Sequence, residues 1–324
     1  LEAGLVTSYV VRRILGAIPL LLFISVVTYA MMALAPGGPA AVLGPKGQGI
    51  SPEAIRRLNA LYGLDKPWYV QYFYWLKELV LHGSLGTSFV DHRPVIEKVL
   101  EKLPVTVEMV GLALLLTLLI ALPIGVYAGA HRNSPFDTIS SAVGFVFYGV
   151  PVFWLAIVLI NIFAVHLRWF PSSGIASLGH ENDALDRLRH LLLPVVALAL
   201  VSFVSWMRYQ RSSIIEAMSA PYIRTARSKG LSEREVLFGH ALRNALLPVV
   251  TLLGLSLPAL VGGAYFVEYI FSIPGIGYLT FSSIFSRDYP TLMAITMLTA
   301  VLIVAGNLLA DIAYAVVDPR IRYE

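Results

Sequence analysis

The residues able to do chemistry in this 324-residue chain are few and scattered. Glu108, Glu268 and Asp311 are the carboxylates nearest to long apolar runs. An acid deep inside a membrane-crossing helix is costly and typically serves ion or proton coupling. Each of these three falls toward the end of its run, where an interfacial or helix-packing role outweighs coupling. Glu268 keeps a further interest, because Tyr265 and Phe266 adjoin it and an entering amino group could pass there. His82, His92, His131, His166, His180, His190 and His240 show no His-x-x-x-His spacing, so no metal site is assigned. Ser172-Ser173-Gly174 and Ser212-Ser213 have no neighbouring base and acid, which leaves nucleophilic catalysis unsupported. The sequence has no Gly-x-x-x-x-Gly-Lys-Ser/Thr segment to cradle nucleotide phosphates, and no cysteine for disulfides, thiolate sites or thiol nucleophiles. An enzyme is therefore not expected.

Residues that shape the backbone form a second set of candidates. Pro123, Gly125, Gly129, Pro151, Gly254, Pro258, Gly262 and Gly263 fall inside apolar runs, where broken backbone is tolerated only if neighbours or a wet cavity satisfy it. Gly125 and Gly129 read as small residues that let helices approach closely. Pro258 with Gly262-Gly263 reads as a kink or gate.

The most patterned polar stretch is Ser212 to Pro248. Around it lie Arg208, Arg211, Arg224, Arg227, Lys229, Arg234 and Arg243, against Glu216, Glu233 and Glu235. The stretch predicts helix, turn, helix. Ala220-Pro221 opens a short helix that Gly230 can close in a left-handed cap. Ser232 with Glu235 then forms a capping box for a second helix through Phe238 and His240 into Leu246-Leu247-Pro248. A short basic helix held between two membrane helices suits docking into a groove on a soluble partner, though basic loops also set topology and attract anionic lipid headgroups.

The elements that must hold these residues are membrane spans. The composition is 57% hydrophobic and 14% charged, against about 25% charged in a typical soluble domain. Six charge-free stretches approach bilayer length: Ile14–Leu34, Met109–Ala130, Thr138–Val165, Leu191–Met207, Ala245–Val267 and Pro290–Ala310. The fourth is short and must extend through His190 and the snorkelling Arg208. Arg12, Arg13, Arg132, the basic stretch, Arg320 and Arg322 place both termini on the cytoplasmic side. The net charge of +4 is thus a topology signal, and nucleic acid is not expected as a partner. Three regions follow: 1–34, a tail and first span; 35–103, a structured extracytoplasmic segment rich in aromatics from Trp68 to Trp75; and 104–324, a five-helix core containing the loop 212–248. Leu1 to Ser8 carry no evident role and stay outside the argument.

The segment Tyr222-Ile223-Arg224-Thr225-Ala226-Arg227-Ser228-Lys229-Gly230-Leu231-Ser232-Glu233, followed by His240-Ala241-Leu242-Arg243-Asn244-Ala245-Leu246-Leu247-Pro248, resembles the EAA loop of binding-protein-dependent ABC permeases. Arg224-Thr225-Ala226 stands where Glu-Ala-Ala would fall, a form similar to the dipeptide, oligopeptide and nickel branch. The resemblance extends to Tyr62-Gly63-Leu64-Asp65-Lys66-Pro67, Gly83-Ser84-Leu85-Gly86-Thr87-Ser88, Pro151-Val152-Phe153-Trp154-Leu155, Phe271-Ser272-Ile273-Pro274-Gly275-Ile276-Gly277, Arg287-Asp288-Tyr289-Pro290 and Asp318-Pro319-Arg320-Ile321-Arg322. Gly38 and Ser84 depart from it, standing where acidic or amide residues are frequent.

The resemblance implies an all-α inner-membrane permease with six transmembrane helices of the type I importer kind. It implies a homologous second permease, two ATP-binding subunits and an extracytoplasmic solute-binding protein as partners, within membrane lipid. ATP and Mg²⁺ would bind those partners and no cofactor this chain. It assigns ATPase coupling to Tyr222, Ile223, Arg224, Thr225, Ala226, Arg227, Lys229 and Gly230. Pro258, Gly262, Gly263, Tyr265 and Glu268 are the candidates for pathway or gate. Peptides are the expected solute, with nickel chelates or oligosaccharides as alternatives. An ion-coupled carrier is disfavoured by the lack of a deep acid.

Overall fold

The computed structural model describes residues 2–34, 53, 56–57, 65–246, 249, 252–253 and 264–317. In chain order the helices are α1 (Glu2–Leu34), α2 (Trp68–His82), α3 (Val95–Ala130), α4 (Pro135–Tyr148), α5 (Val152–Leu159), α6 (Ala184–Ser219), α7 (Pro221–Ser228), α8 (Glu233–Glu235), α9 (Leu242–Ala245), α10 (Ile276–Phe285) and α11 (Tyr289–Val317). A π-helical stretch, Ile160–His166, continues α5, and another, Val236–Ala241, joins α8 to α9. A helical segment also covers 264–270. Among the described residues the only β-pairing is an isolated bridge between Thr87 and Pro94.

Among the described residues four helices are long and apolar enough to cross a membrane: Val11–Leu34 within α1, α3, α6, and Tyr289–Leu308 within α11. At 1.5 Å per residue the 36 residues of α3 and of α6 run about 54 Å, well beyond a hydrocarbon core of about 30 Å. The helices therefore outrun the charge-free stretches that announced them. The short fourth stretch gains its length as expected, through His190 and Arg208.

The third stretch, expected as one continuous span, is two helices. Here α4 and α5 with its π continuation meet at 99°. Pro151 lacks an N–H to continue α4 and holds an extended ψ of 134° as it opens α5. Most of the fifth stretch, including Pro258, Gly262 and Gly263, lies outside the described residues, so the described helices give four spans, or five counting the bent pair.

The chain divides into two compact units. In the first, Ser25 of α1 shares a 2.9 Å hydrogen bond with the Tyr72 hydroxyl of α2, and Tyr29 meets Tyr72 edge-on at 5.7 Å. The same unit holds a buried polar hub around Asp288. Its carboxylate accepts from Ser88 Oγ at 2.5 Å, Phe89 N at 3.0 Å and Thr291 Oγ1 at 2.7 Å. Lys98 Nζ approaches it at 3.4 Å and also pairs with Asp91 at 2.9 Å.

In the second unit, Thr106–Ile273 with the end of α11, the C-terminal part of α3 lies against α6. A Cβ on Gly125 would stand 2.7 Å from the Met207 carbonyl, and one on Gly129 2.8 Å from the Arg211 carbonyl and the Ile214 Cβ. Both glycines thus allow close backbone approach, as their spacing in the sequence suggested. Beyond them α4 begins on a Ser134 cap with Pro135 in the first turn. Asp137 in that turn takes a bidentate ion pair from Arg211 of α6, reinforced by Asn133 N at 2.9 Å. Ile139, Val143 and Val146, spaced four and three residues apart on one face of α4, are large, apolar and exposed, a surface suited to hydrocarbon rather than water.

Candidate functional site

The basic stretch folds as its local signals require. Ala220 holds an extended conformation ahead of Pro221, whose missing N–H costs nothing in the first turn of α7. Along α7, Ile223 and Ala226 are three residues apart and share one face, with exposures of 0% and 6%. They pack into a cluster with Ile214 and Ala217 of α6, Val236 and Ala241 of the π-helical stretch, and Ala245 of α9. Tyr222, Arg224, Thr225, Arg227 and Lys229 remain exposed.

Three devices fix the turn after α7. Gly230 adopts φ +80°, and a Cβ there would meet no atom within 4 Å, so backbone conformation alone calls for glycine. Ser232 and Glu235 form a reciprocal capping box, with Ser232 N donating to Glu235 Oε2 at 2.9 Å and Glu235 N donating to Ser232 Oγ at 3.3 Å. Arg227 closes the loop with a bidentate pair to Glu233, at 2.8 and 3.0 Å. Hydrogen bonding from Arg227 holds the Glu233 carboxyl below the usual glutamate range, and the Ser232 hydroxyl and backbone N–H do the same for Glu235.

The structure therefore divides the eight coupling candidates. Ile223 and Ala226 anchor the helix to its own chain, Arg227 and Gly230 shape the turn, and Tyr222, Arg224, Thr225 and Lys229 are exposed. The second helix is not uniformly α-helical as expected. Its middle turn, Val236–Ala241, is π-helical, an insertion often found where function demands local slack.

Of the pathway candidates, Tyr265 and Glu268 lie in segment 264–270. Glu268 is fully buried and accepts a 2.6 Å hydrogen bond from Thr106 Oγ1 of α3. That contact ties the segment to α3, in keeping with helix packing. Glu108, two residues along α3, forms a bidentate ion pair with Arg187 at the start of α6. Sequence reasoning found neither pairing, nor the Asp288 hub, because Glu108 and Arg187, Thr106 and Glu268, and Ser88 and Asp288 lie 79, 162 and 200 residues apart.

Residues 121–323 match the family described as binding-protein-dependent transport system inner membrane component, and residues 6–110 match the N-terminal component of the same systems. The chain belongs to this family. The inner membrane component is 43% identical to the oligopeptide transport system permease protein AppB of Bacillus subtilis, over 98% of this chain and 99% of that protein. It is 40% identical to a putative peptide transport system permease protein of Brucella melitensis, over 99% of this chain and all of that one. It is 35% identical to the dipeptide transport system permease protein DppB of Escherichia coli, over 98% of this chain and 99% of that protein. The matches span both compact units and the basic loop.

Proposed function

We propose that this chain is the channel-forming subunit of an ATP-driven peptide importer, paired with a homologous permease and served by two ATPase subunits and an extracytoplasmic solute-binding protein. Near full-length similarity to permeases named for oligopeptide and dipeptide transport supports the solute class. The observation that carries the coupling role is α7 itself. It is an exposed basic helix whose apolar face is anchored in the chain's own core, so a force applied to it is passed to α6 and α9.

In this reading the chain crosses the membrane six times, with both termini and the loop 212–248 in the cytoplasm. The positive loop charges support that orientation. ATP binding closes the partner ATPases around Tyr222, Arg224, Thr225 and Lys229. The closure moves α7, the buried pair Ile223 and Ala226 carries the movement into α6, and the pathway opens toward the binding protein. Hydrolysis in the partners restores the inward-open arrangement.

The test is a mild-detergent purification of the whole complex, with partners identified by mass spectrometry and peptide-stimulated ATP hydrolysis measured. Arg224→Glu with Lys229→Glu, both at exposed positions, is expected to leave the chain folded in the membrane while abolishing stimulation or losing the ATPases. A chain that purifies folded but without ATPase partners, or a charge-reversed complex with full stimulation, overturns the reading.

A further inference from the structure

The surface of α6 changes character along its length. From His190 to Val204 it has no exposed residue. From Ser205 onward an exposed stripe appears, formed by Ser205, Arg208, Tyr209, Ser212, Glu216 and Ser219. Spacings of three and four place these residues on one helical face, and every one is polar. The exposed face of neighbouring α4 is apolar by contrast, so the α6 stripe is not made for hydrocarbon.

A cavity of about 330 Å³ opens at this stripe, lined by Tyr148, Ser205, Arg208, Tyr209 and Ser212. Arg208 lies with its guanidinium carbon 6.0 Å from the centre of the Phe145 ring. The other inner arginine of α6, Arg211, is committed to Asp137. Arg208 has no carboxylate partner among the described residues. A cation on a membrane-crossing helix faces a wet cavity or the bundle interior, because an uncompensated charge is costly in lipid.

We propose that this cavity is an anion subsite on the translocation pathway, where Arg208 receives the terminal carboxylate of the transported peptide. The guanidinium fork matches a carboxylate in a two-point geometry that an ammonium cannot reproduce. The Phe145 face limits the orientations of the fork, and the Ser205, Ser212 and Tyr209 hydroxyls are donors for the remaining carboxylate lone pairs. This inference rests on the peptide-importer reading and deepens it, by giving the inner end of α6 a solute contact.

The chain has no cysteine, so single cysteines report without background from it. In the complete complex in lipid nanodiscs, Ser205→Cys and Ser212→Cys are expected to react with a charged, membrane-impermeant maleimide, while Ile139→Cys on α4 does not. Trialanine should slow labelling and trialanine amide should not. Arg208→Gln should weaken that protection about tenfold or more, and Arg208→Lys should restore part of it. Equal protection by the amide, protection that survives Arg208→Gln, or unreactive serine positions would each overturn the subsite. Protection that follows added phosphatidylglycerol instead of peptide would assign the cavity to a lipid headgroup and also overturn it. Failure of the wild-type complex to take up any peptide with ATP would overturn the importer reading, a separate readout from the labelling.

Discussion

Ile223 is the residue through which the link between α7 and the rest of the chain can be tested quantitatively. It is fully buried among Ile214, Ala217, Val236, Ala241 and Ala245. Ile223→Ala removes three carbons, about 2.4 kcal/mol at about 0.8 kcal/mol per buried methylene, and leaves a cavity lined by helices that cannot all close in. A total near 3 kcal/mol follows, within the roughly 2–5 kcal/mol range of such truncations. The eight residues of α7 are held by one small cluster, so the loss falls on a local opening rather than on the whole bundle. Hydrogen exchange of the α7 amides should quicken about a hundredfold, since about 1.4 kcal/mol is a factor of ten. The buried middle of α6 should be unaffected. Peptide-stimulated ATP hydrolysis should fall in parallel, because a detached α7 no longer pulls on α6. Ile223→Val, worth about 0.5–1.5 kcal/mol, should quicken exchange by about tenfold at most. An acceleration below tenfold for Ile223→Ala, or one spread evenly into α6, would refute the anchoring argument.

Gly129→Ala forces a Cβ to 2.8 Å from the Arg211 carbonyl and should cost about 1–3 kcal/mol, read as a lowered melting temperature in detergent. Gly111→Ala, where a Cβ meets nothing within 4 Å, is the control and should not destabilise. Asp288→Ala leaves Ser88, Phe89 N and Thr291 without their acceptor. Lys98 retains Asp91, so the expected loss is about 3 kcal/mol rather than that of an orphaned charge, checked by proteolytic susceptibility of residues 83–94. The Arg227–Glu233 link has a sign that can be checked against pH. A carboxyl lowered in the folded chain contributes stability above its ordinary value of 4.5 and loses it only as pH falls through the lowered one. Carbon-detected titration of labelled glutamates should therefore place the Glu233 midpoint below 4.5, and a midpoint at or above it refutes a stabilising Arg227–Glu233 link.

The parts of this molecule that were legible in the sequence are those whose causes act within a few residues. Pro221, Gly230 and the Ser232–Glu235 box each satisfy or withhold a backbone hydrogen bond within four positions, and all three act where the pattern located them. The apolar runs likewise mark where α1, α3, α6 and α11 cross, although they underestimate the helices, since polar residues such as Glu97 extend α3 without shortening it. The 99° break at Pro151 was missed because hydropathy measures the solvent a segment prefers and is blind to its direction. The pairings of Glu108, Asp137, Glu268 and Asp288 were missed because each partner arrives from a distant part of the chain.

Arg208 and Arg211 show what this difference means for function. Counted in the sequence they are equal votes for an inward-facing loop, three residues apart at the end of one span. In the fold Arg211 turns to Asp137, and its charge is spent on holding α4 to α6. Arg208 lies on the exposed polar stripe with hydroxyls beside it and no carboxylate of its own among the described residues. A charge already neutralised within the chain can set geometry but offers little to a solute, whereas one held at a cavity without a partner offers both charge and direction. Under the proposed subsite, recognition depends less on how many positive charges the loop carries than on which of them the fold has left without a carboxylate.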